Sequence, residues 1–232
     1  MNKHLLVIPL YNEAEHIEAV IRKVREYFIG DLLIINDGST DKSSEILAEI
    51  KDIKVIEETE NCGYGCALMD GFNHAVENNF EVVITIDCDD QHEPDLIPSF
   101  VKEITNCDIV SGSRYLNNSS PFFEAPPPDR KRINIEMTEL INEYTGYNLT
   151  DTFCGFKAYR VEAIKKLNLN EKGYAFPLQV WLQAYKHGLK IKEIPVDLIY
   201  KNLNRTFGNN LDDPIERRKY YLSVIEREFS CV

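Results

Sequence analysis

The sequence predicts an α/β protein with a mostly parallel central sheet flanked by helices. Three observations lead there. Short β-branched runs alternate with amphipathic helical stretches, with little slack between them, through the first 115 residues. Polar turns follow the runs ending near Pro9, Ile35 and Ile86. The stretch from Ile84 to Pro94, Ile-Thr-Ile-Asp-Cys-Asp-Asp-Gln-His-Glu-Pro, ends a buried run abruptly in carboxylates and an amide.

In chain order, Leu5 to Ile8 reads as a strand stopped by Pro9. Asn12 then caps a helix with Glu15 as its reciprocal partner, and Ile17, Val20, Ile21 and Val24 form the buried face. Leu32 to Ile35 is the second strand. Ser39 or Thr40, in the turn Asn36 to Asp41, caps the helix bearing Ile46, Leu47 and Ile50. Lys54 to Glu57 is a third strand, and the loop from Asn61 to Ala67 opens a helix with Leu68, Phe72, Ala75 and Val76 inward. After the strand Val82 to Ile86 come a helix through Leu96, Phe100 and Ile104 and a strand from Asp108. The second half reads as a loop rich in Asn, Ser and Pro from Asn117 to Pro128 and a helix from Ile133 to Tyr144. A strand at Phe153 to Tyr159, a helix from Pro177 to His187, a strand from Ile191 to Leu198 and a final charged helix from Ile215 to Phe229 follow. The chain is read as one domain, 1–232, whose two parts, 1–115 and 116–232, differ in character.

A formal net charge of -12 argues against a general nucleic-acid binder, which needs a basic face to neutralise phosphates. No apolar run reaches the length of a membrane-spanning helix, and no signal-peptide cleavage pattern follows Met1, so the expectation is a cytoplasmic protein. The six cysteines show no Cys-x-x-Cys pair and no zinc-ligand spacing, consistent with small reduced core residues.

The polar turns belong on one edge of a parallel sheet, the edge where such sheets bind ligands. That places Tyr11, Glu13, Asp37 and the acidic cluster in one crevice, a geometry suited to a nucleotide. Asp87, Asp89 and Gln91 offer hard oxygen donors for Mg²⁺ or Mn²⁺; the alternative is a solvated acidic turn. Arg130, Lys131 and Arg132 are either an anion site or a solvated helix start.

With these residues in hand, the chain resembles the inverting nucleotide-sugar glycosyltransferases of family 2. Within them it is similar to the polyprenol-phosphate (dolichol-phosphate) mannosyl- and glucosyltransferases. The resemblance rests on Ile-Pro-Leu-Tyr-Asn-Glu at 8–13, Asn-Asp-Gly-Ser-Thr-Asp at 36–41, Asn-Cys-Gly-Tyr-Gly-Cys-Ala at 61–67, Asp-Cys-Asp-Asp-Gln-His at 87–92, Gly-Ser-Arg-Tyr at 112–115 and Cys-Gly-Phe-Lys-Ala-Tyr-Arg at 154–160, in family order. It implies a nucleotide-diphospho-sugar transferase (GT-A type) fold. The donor would be held near Pro9, Tyr11, Glu13, Asp37, Gly63 and Asp87, with Arg205 as a second positive group. Mg²⁺ or Mn²⁺ would sit on Asp87, Asp89 and Gln91, with Asp89 in a catalytic role. Arg114, Arg130 and Asn134 would meet the phosphate of a polyprenyl-phosphate acceptor.

The chain departs from the family at Cys154 and Asn134, where serines are usual, in the acidic helix bearing Glu136, Glu139 and Glu143, and in a C-terminal segment without the usual lysine. These departures leave a soluble hydroxyl acceptor open, with Asp151 as its general base, as well as a catalytically silent nucleotide-sugar-binding protein. Peripheral contact with a membrane also stays open. A nucleotidyltransferase is disfavoured, because Pro-Leu-Tyr-Asn-Glu stands where a Gly-rich phosphate loop bearing Arg or Lys would follow the first strand.

Overall fold

The computed structural model describes residues 3–89, 92–116, 126–197, 199 and 206–230. β1 (His4–Leu10) leads to α1 (Ile17–Tyr27), β2 (Asp31–Asn36) to α2 (Ser43–Glu49), and β3 (Lys54–Glu57) to α3 (Tyr64–Glu77). β4 (Val82–Thr85) leads through a 3₁₀ turn at Pro94–Leu96 to α4 (Ile97–Glu103). β5 (Ile109–Ser113), α5 (Pro128–Thr145), β6 (Lys157–Arg160), the short α6 (Val161–Ile164), α7 (Phe176–Lys186), β7 (Ile191–Pro195) and α8 (Pro214–Ser230) follow.

The strands form one sheet in the order β3-β2-β1-β4-β6-β5-β7. All pairings are parallel except those of β6, which runs antiparallel between β4 and β5. β6 and β7, from the second half of the sequence, thus share a sheet with the first half. Alternate residues of β1 feed opposite faces, as the strand period requires. Leu5 and Val7 pack under α3 and α7 with Phe72 and Trp181, while Leu6 and Ile8 pack under α1 and α4 with Ile17 and Phe100. With both faces covered, the inner strands are apolar almost throughout.

Several local expectations are corrected. Pro9 does not stop β1. Val7 O accepts from Ile86 N, so Pro9, two residues on, faces the same side, where pairing with β4 has already ended at Thr85. The missing N–H therefore costs no ladder bond. Asn12 does not cap α1, whose N-cap is His16 without a side-chain bond. With φ at 55°, Asn12 instead turns its Oδ1 to the backbone N–H groups of Thr40 and Asp41. Neither Ser39 nor Thr40 caps α2; Asp41 Oδ1 accepts from Ser43 N at 2.9 Å. Helix α5 starts at Pro128 rather than Ile133, since proline suits the first helical turn, and so takes in Arg130 to Arg132.

Candidate active site

The C-terminal ends of the central strands open into a cavity of about 250 Å³. Pro9 and Tyr11 reach it from the end of β1, Asp37 from the end of β2, and Asp87 and Asp89 from the end of β4. Arg114, Arg130 and Asn134 line its other side. The expected crevice therefore exists, and it joins the strand-end turns to α5. Glu13 and Gly63 lie outside the lining. Glu13 is buried beside α2, its backbone N–H donating to Ser43 Oγ. Gly63 acts through Asp37, whose two oxygens accept from Cys62 N at 2.7 Å and Gly63 N at 2.9 Å. Only glycine serves there: φ is +108°, and a Cβ would stand 2.5 Å from the Lys172 carbonyl oxygen. Gln91 and Arg205 lie outside the described residues.

Asp87 is bracketed by donors. The Tyr64 hydroxyl donates to Oδ1 at 3.0 Å, and His92 Nε2 stands 3.2 Å from Oδ2. Behind it, Gly155 approaches so closely that a Cβ would lie 2.0 Å from Oδ2. His92 is 7% exposed and its Nδ1 finds no hydrogen-bond partner among the described residues, so the ring is committed through Nε2. Carboxylates oriented by neighbouring donors are the usual surroundings of a metal ligand. Among the described residues no cluster of three or more His, Cys, Asp or Glu forms a closed cage. Asp87 and Asp89 instead both line the cavity, a pair of hard oxygen donors that fits Mg²⁺ or Mn²⁺ taking its other ligands from water and phosphate.

The opposite wall centres on a buried ion pair. Arg114 Nε donates to Asp151 Oδ2 at 2.6 Å and Nη2 to Oδ1 at 2.9 Å, a bidentate fork. Asp151 is 0% exposed and outside the cavity lining; it also accepts from Asn134 Nδ2 at 2.9 Å and from the backbone N–H groups of Arg114 and Phe153. Burial alone would raise its pKa, but the Arg114 guanidinium and the Asn134 amide outweigh that and hold the carboxyl at about 2. For Arg114, burial opposes the charge and Asp151 overrides it, raising the pKa well above the ordinary arginine range. The pair is supported from β7, where Glu193 accepts from Thr150 N at 2.8 Å and Asp151 N at 3.1 Å. A carboxylate so enclosed and so weakly basic is poorly suited to the general-base role considered for it, and well suited to holding Arg114.

The structure adds residues that sequence reasoning passed over. Arg217 of α8 is 2% exposed, lines the cavity and reaches Asp129 Oδ2 at 2.5 Å. Its guanidinium and that of Arg130 lie 4.7 and 4.5 Å from the Phe207 ring. Nothing in the charged pattern of α8 separates Arg217 from its neighbour Arg218, so no sequence signal marked it. Tyr64 and Tyr174 stack at 5.9 Å on the same rim, and the Gly-Tyr-Gly triplet was the one hint of the former.

Residues 5–167 match the family described as glycosyl transferase family 2. Over 210 residues the chain is 27% identical to the undecaprenyl-phosphate mannosyltransferase of Micrococcus luteus, covering 87% of this chain and 86% of that protein. It is 28% identical to the UDP-N-acetylglucosamine–dolichyl-phosphate N-acetylglucosaminyltransferase of Methanococcus voltae, covering 89% of each. Among solved structures, glucosyl-3-phosphoglycerate synthase from Mycobacterium tuberculosis, crystallised with Mn²⁺, uridine diphosphate and glucosyl-3-phosphoglycerate, superposes with a TM-score of 0.75 at 18% identity. That match covers 98% of this chain and 80% of the synthase, and it identifies the fold as the GT-A type.

Proposed function

The chain belongs to glycosyl transferase family 2, and from that premise we propose that it transfers a hexose from a nucleoside-diphosphate sugar to a polyprenyl phosphate. The donor half, 1–115, holds the nucleotide against Pro9, Tyr11 and Asp37, and the acceptor half, 116–232, joined by Arg114 at the end of β5, presents the phosphate to the anomeric carbon. Asp87 and Asp89 are the proposed ligands of Mg²⁺ or Mn²⁺. A dication there stabilises the negative charge that gathers on the departing diphosphate. Asp37, held by the backbone N–H groups of Cys62 and Gly63, keeps acceptor capacity for a ribose hydroxyl. Arg114, with two N–H groups on Asp151, keeps its others for the acceptor phosphate.

The observation that most supports a phosphate acceptor is the enclosure of Asp151. A hydroxyl nucleophile needs a base near its proton, and Asp151, the acid considered for that role, is locked onto Arg114. A phosphate is already an anion. One of its oxygens attacks the anomeric carbon as the bond to the diphosphate oxygen breaks, the configuration inverts, and the nucleoside diphosphate leaves with the electron pair. The relatives named for undecaprenyl and dolichyl phosphate point to the same acceptor class. No helix among the described residues is long and apolar enough to cross a membrane, so the proposed contact with the lipid is peripheral.

The test is transfer from radiolabelled nucleotide-sugars to a short-chain polyprenyl phosphate with Mn²⁺ present. Wild type is expected to form the glycosyl phospholipid, and Arg114→Ala to lose at least about tenfold in rate, a charge-assisted pair being worth about 1.5–3 kcal/mol. Undiminished transfer by Arg114→Ala contradicts the acceptor assignment.

A further inference from the structure

Gly-Tyr-Gly at 63–65 opens α3, and neither of its glycines lines the cavity. What they admit is the turn Glu171–Gly173, which lies against them. A Cβ on Gly65 would stand 2.2 Å from the Glu171 carbonyl oxygen, as one on Gly63 would crowd that of Lys172. α3 has no side-chain cap, so the N–H groups of its first turn need another acceptor. The Lys172 carbonyl is that acceptor, taking Gly65 N at 2.8 Å and Cys66 N at 3.2 Å. At the same helix start, Cys62 and Gly63 give their N–H groups to Asp37, and Tyr64 gives its hydroxyl to Asp87. The carbonyl that holds the start of α3 thereby holds these three donors.

The turn is itself tied to α8 through the Glu171 side chain, which is 7% exposed and outside the cavity lining. Its Oε1 accepts from Gly173 N at 3.0 Å and from the Tyr220 hydroxyl, and its Oε2 accepts from Arg227 Nη2 at 2.9 Å. Its backbone N–H donates to Gln179 Oε1 of α7 at 2.8 Å. Gly173 passes so close to α8 that a Cβ would lie 2.3 Å from the Tyr220 hydroxyl oxygen. Burying a carboxylate is unfavourable unless its oxygens are matched, and here every match fastens the same turn.

We infer that Glu171 is a positioning residue of the donor pocket: it latches the 171–173 turn to α8, so that the Lys172 carbonyl keeps the start of α3 where Cys62, Gly63 and Tyr64 reach Asp37 and Asp87. The inference rests on the donor role proposed for Asp37. It makes nucleotide affinity depend on Glu171 and Tyr220, which do not line the cavity. Loss of a merely structural bond would lower the thermal midpoint and leave the affinity of the folded protein unchanged.

The experiment measures binding of uridine diphosphate and of guanosine diphosphate, each with Mn²⁺, by isothermal titration well below the thermal midpoint of every variant. Glu171→Ala is expected to bind the nucleotide that wild type prefers about tenfold more weakly. Glu171→Gln, which keeps an oxygen for Gly173 and Tyr220, should recover most of that loss. Tyr220→Phe removes only the hydroxyl; it should weaken binding about threefold and gives the reading if Glu171→Ala fails to fold. Val24→Ala, a truncation of the core beneath α1, should lower the midpoint with unchanged affinity. Unchanged affinity in folded Glu171→Ala or Tyr220→Phe, Glu171→Gln no tighter than Glu171→Ala, or an equal loss in Val24→Ala overturns the inference alone. Failure of wild type to bind either nucleotide overturns the donor reading and the inference with it.

Discussion

Asp151 shows how neighbours decide what a carboxylate can do. Its number and its place before Cys-Gly-Phe were visible in the sequence, and an acid beside acceptor motifs invites a catalytic reading. The partner that cancels this reading, Arg114, lies 37 residues away, and a pairing at that distance leaves no periodic trace. The carboxyl sits at about 2 when folded, below the ordinary aspartate value of 3.8, so its contribution to stability is present above about pH 4 and is lost as the pH falls through 2. The linked amount is about 2 kcal/mol. Urea unfolding across pH 2–5 should show that loss in wild type. Asp151→Asn should cost about 3–5 kcal/mol at neutral pH, because the buried guanidinium loses its counter-ion, and should show a shallower decline on acidification. A variant as stable as wild type at pH 7 would contradict the enclosed pair. Asp37, Asp87 and Asp89 were legible for a different reason: Asp37 directly follows β2, Asp87 and Asp89 follow β4, and the apolar run of each strand is itself unmistakable.

Among the elements, helices were more legible than strand directions. The faces Ile17-Val20-Ile21-Val24 and Leu68-Phe72-Ala75 are buried as the 3.6-residue period requires. The antiparallel β6 was not foreseen, since alternation marks a strand without marking its direction. Yet β6 matters most to the site, for its leading turn places Gly155 on Asp87. Gly155→Ala would put a methyl within 2.0 Å of Asp87 Oδ2, and either the turn or the carboxylate must move. Overpacking of this kind costs about 1–3 kcal/mol, so the variant should fold while its Mn²⁺-dependent affinity for the nucleotide falls at least about tenfold. Isothermal titration with and without Mn²⁺ measures it, and unchanged affinity would separate Gly155 from the metal edge. Helix α8 was legible as a helix but not as a wall of the cavity. It docks through buried carboxylates: Glu171 accepts from Tyr220 and Arg227, and Glu228 accepts from Gln179 and Gln183 of α7 at 2.6 Å each. Such polar contacts hold Arg217 at the cavity, and hydrophobic patterning does not encode them.

For the molecule as a whole, the strongly acidic chain encloses a cavity bearing Arg114, Arg130 and Arg217. Net charge therefore argued against a nucleic-acid face without describing the local pocket, where the proposed anionic substrates would meet cations drawn from α5, α8 and the end of β5. The sheet order brings Asp87 and Asp89, the proposed metal ligands, and the arginine wall to one opening, carboxylates on the proposed donor side and guanidiniums on the proposed acceptor side. This division suits the proposed leaving diphosphate and attacking phosphate, a phosphate being a nucleophile that needs no base. The most direct measurement offers the enzyme a polyprenyl phosphate and the matching polyprenol, identical except for the phosphate, with the same nucleotide-sugar and Mn²⁺, and compares the initial rates of glycosyl transfer. Base-free attack predicts transfer to the phosphate and none above background to the alcohol. Comparable transfer to the alcohol would contradict it.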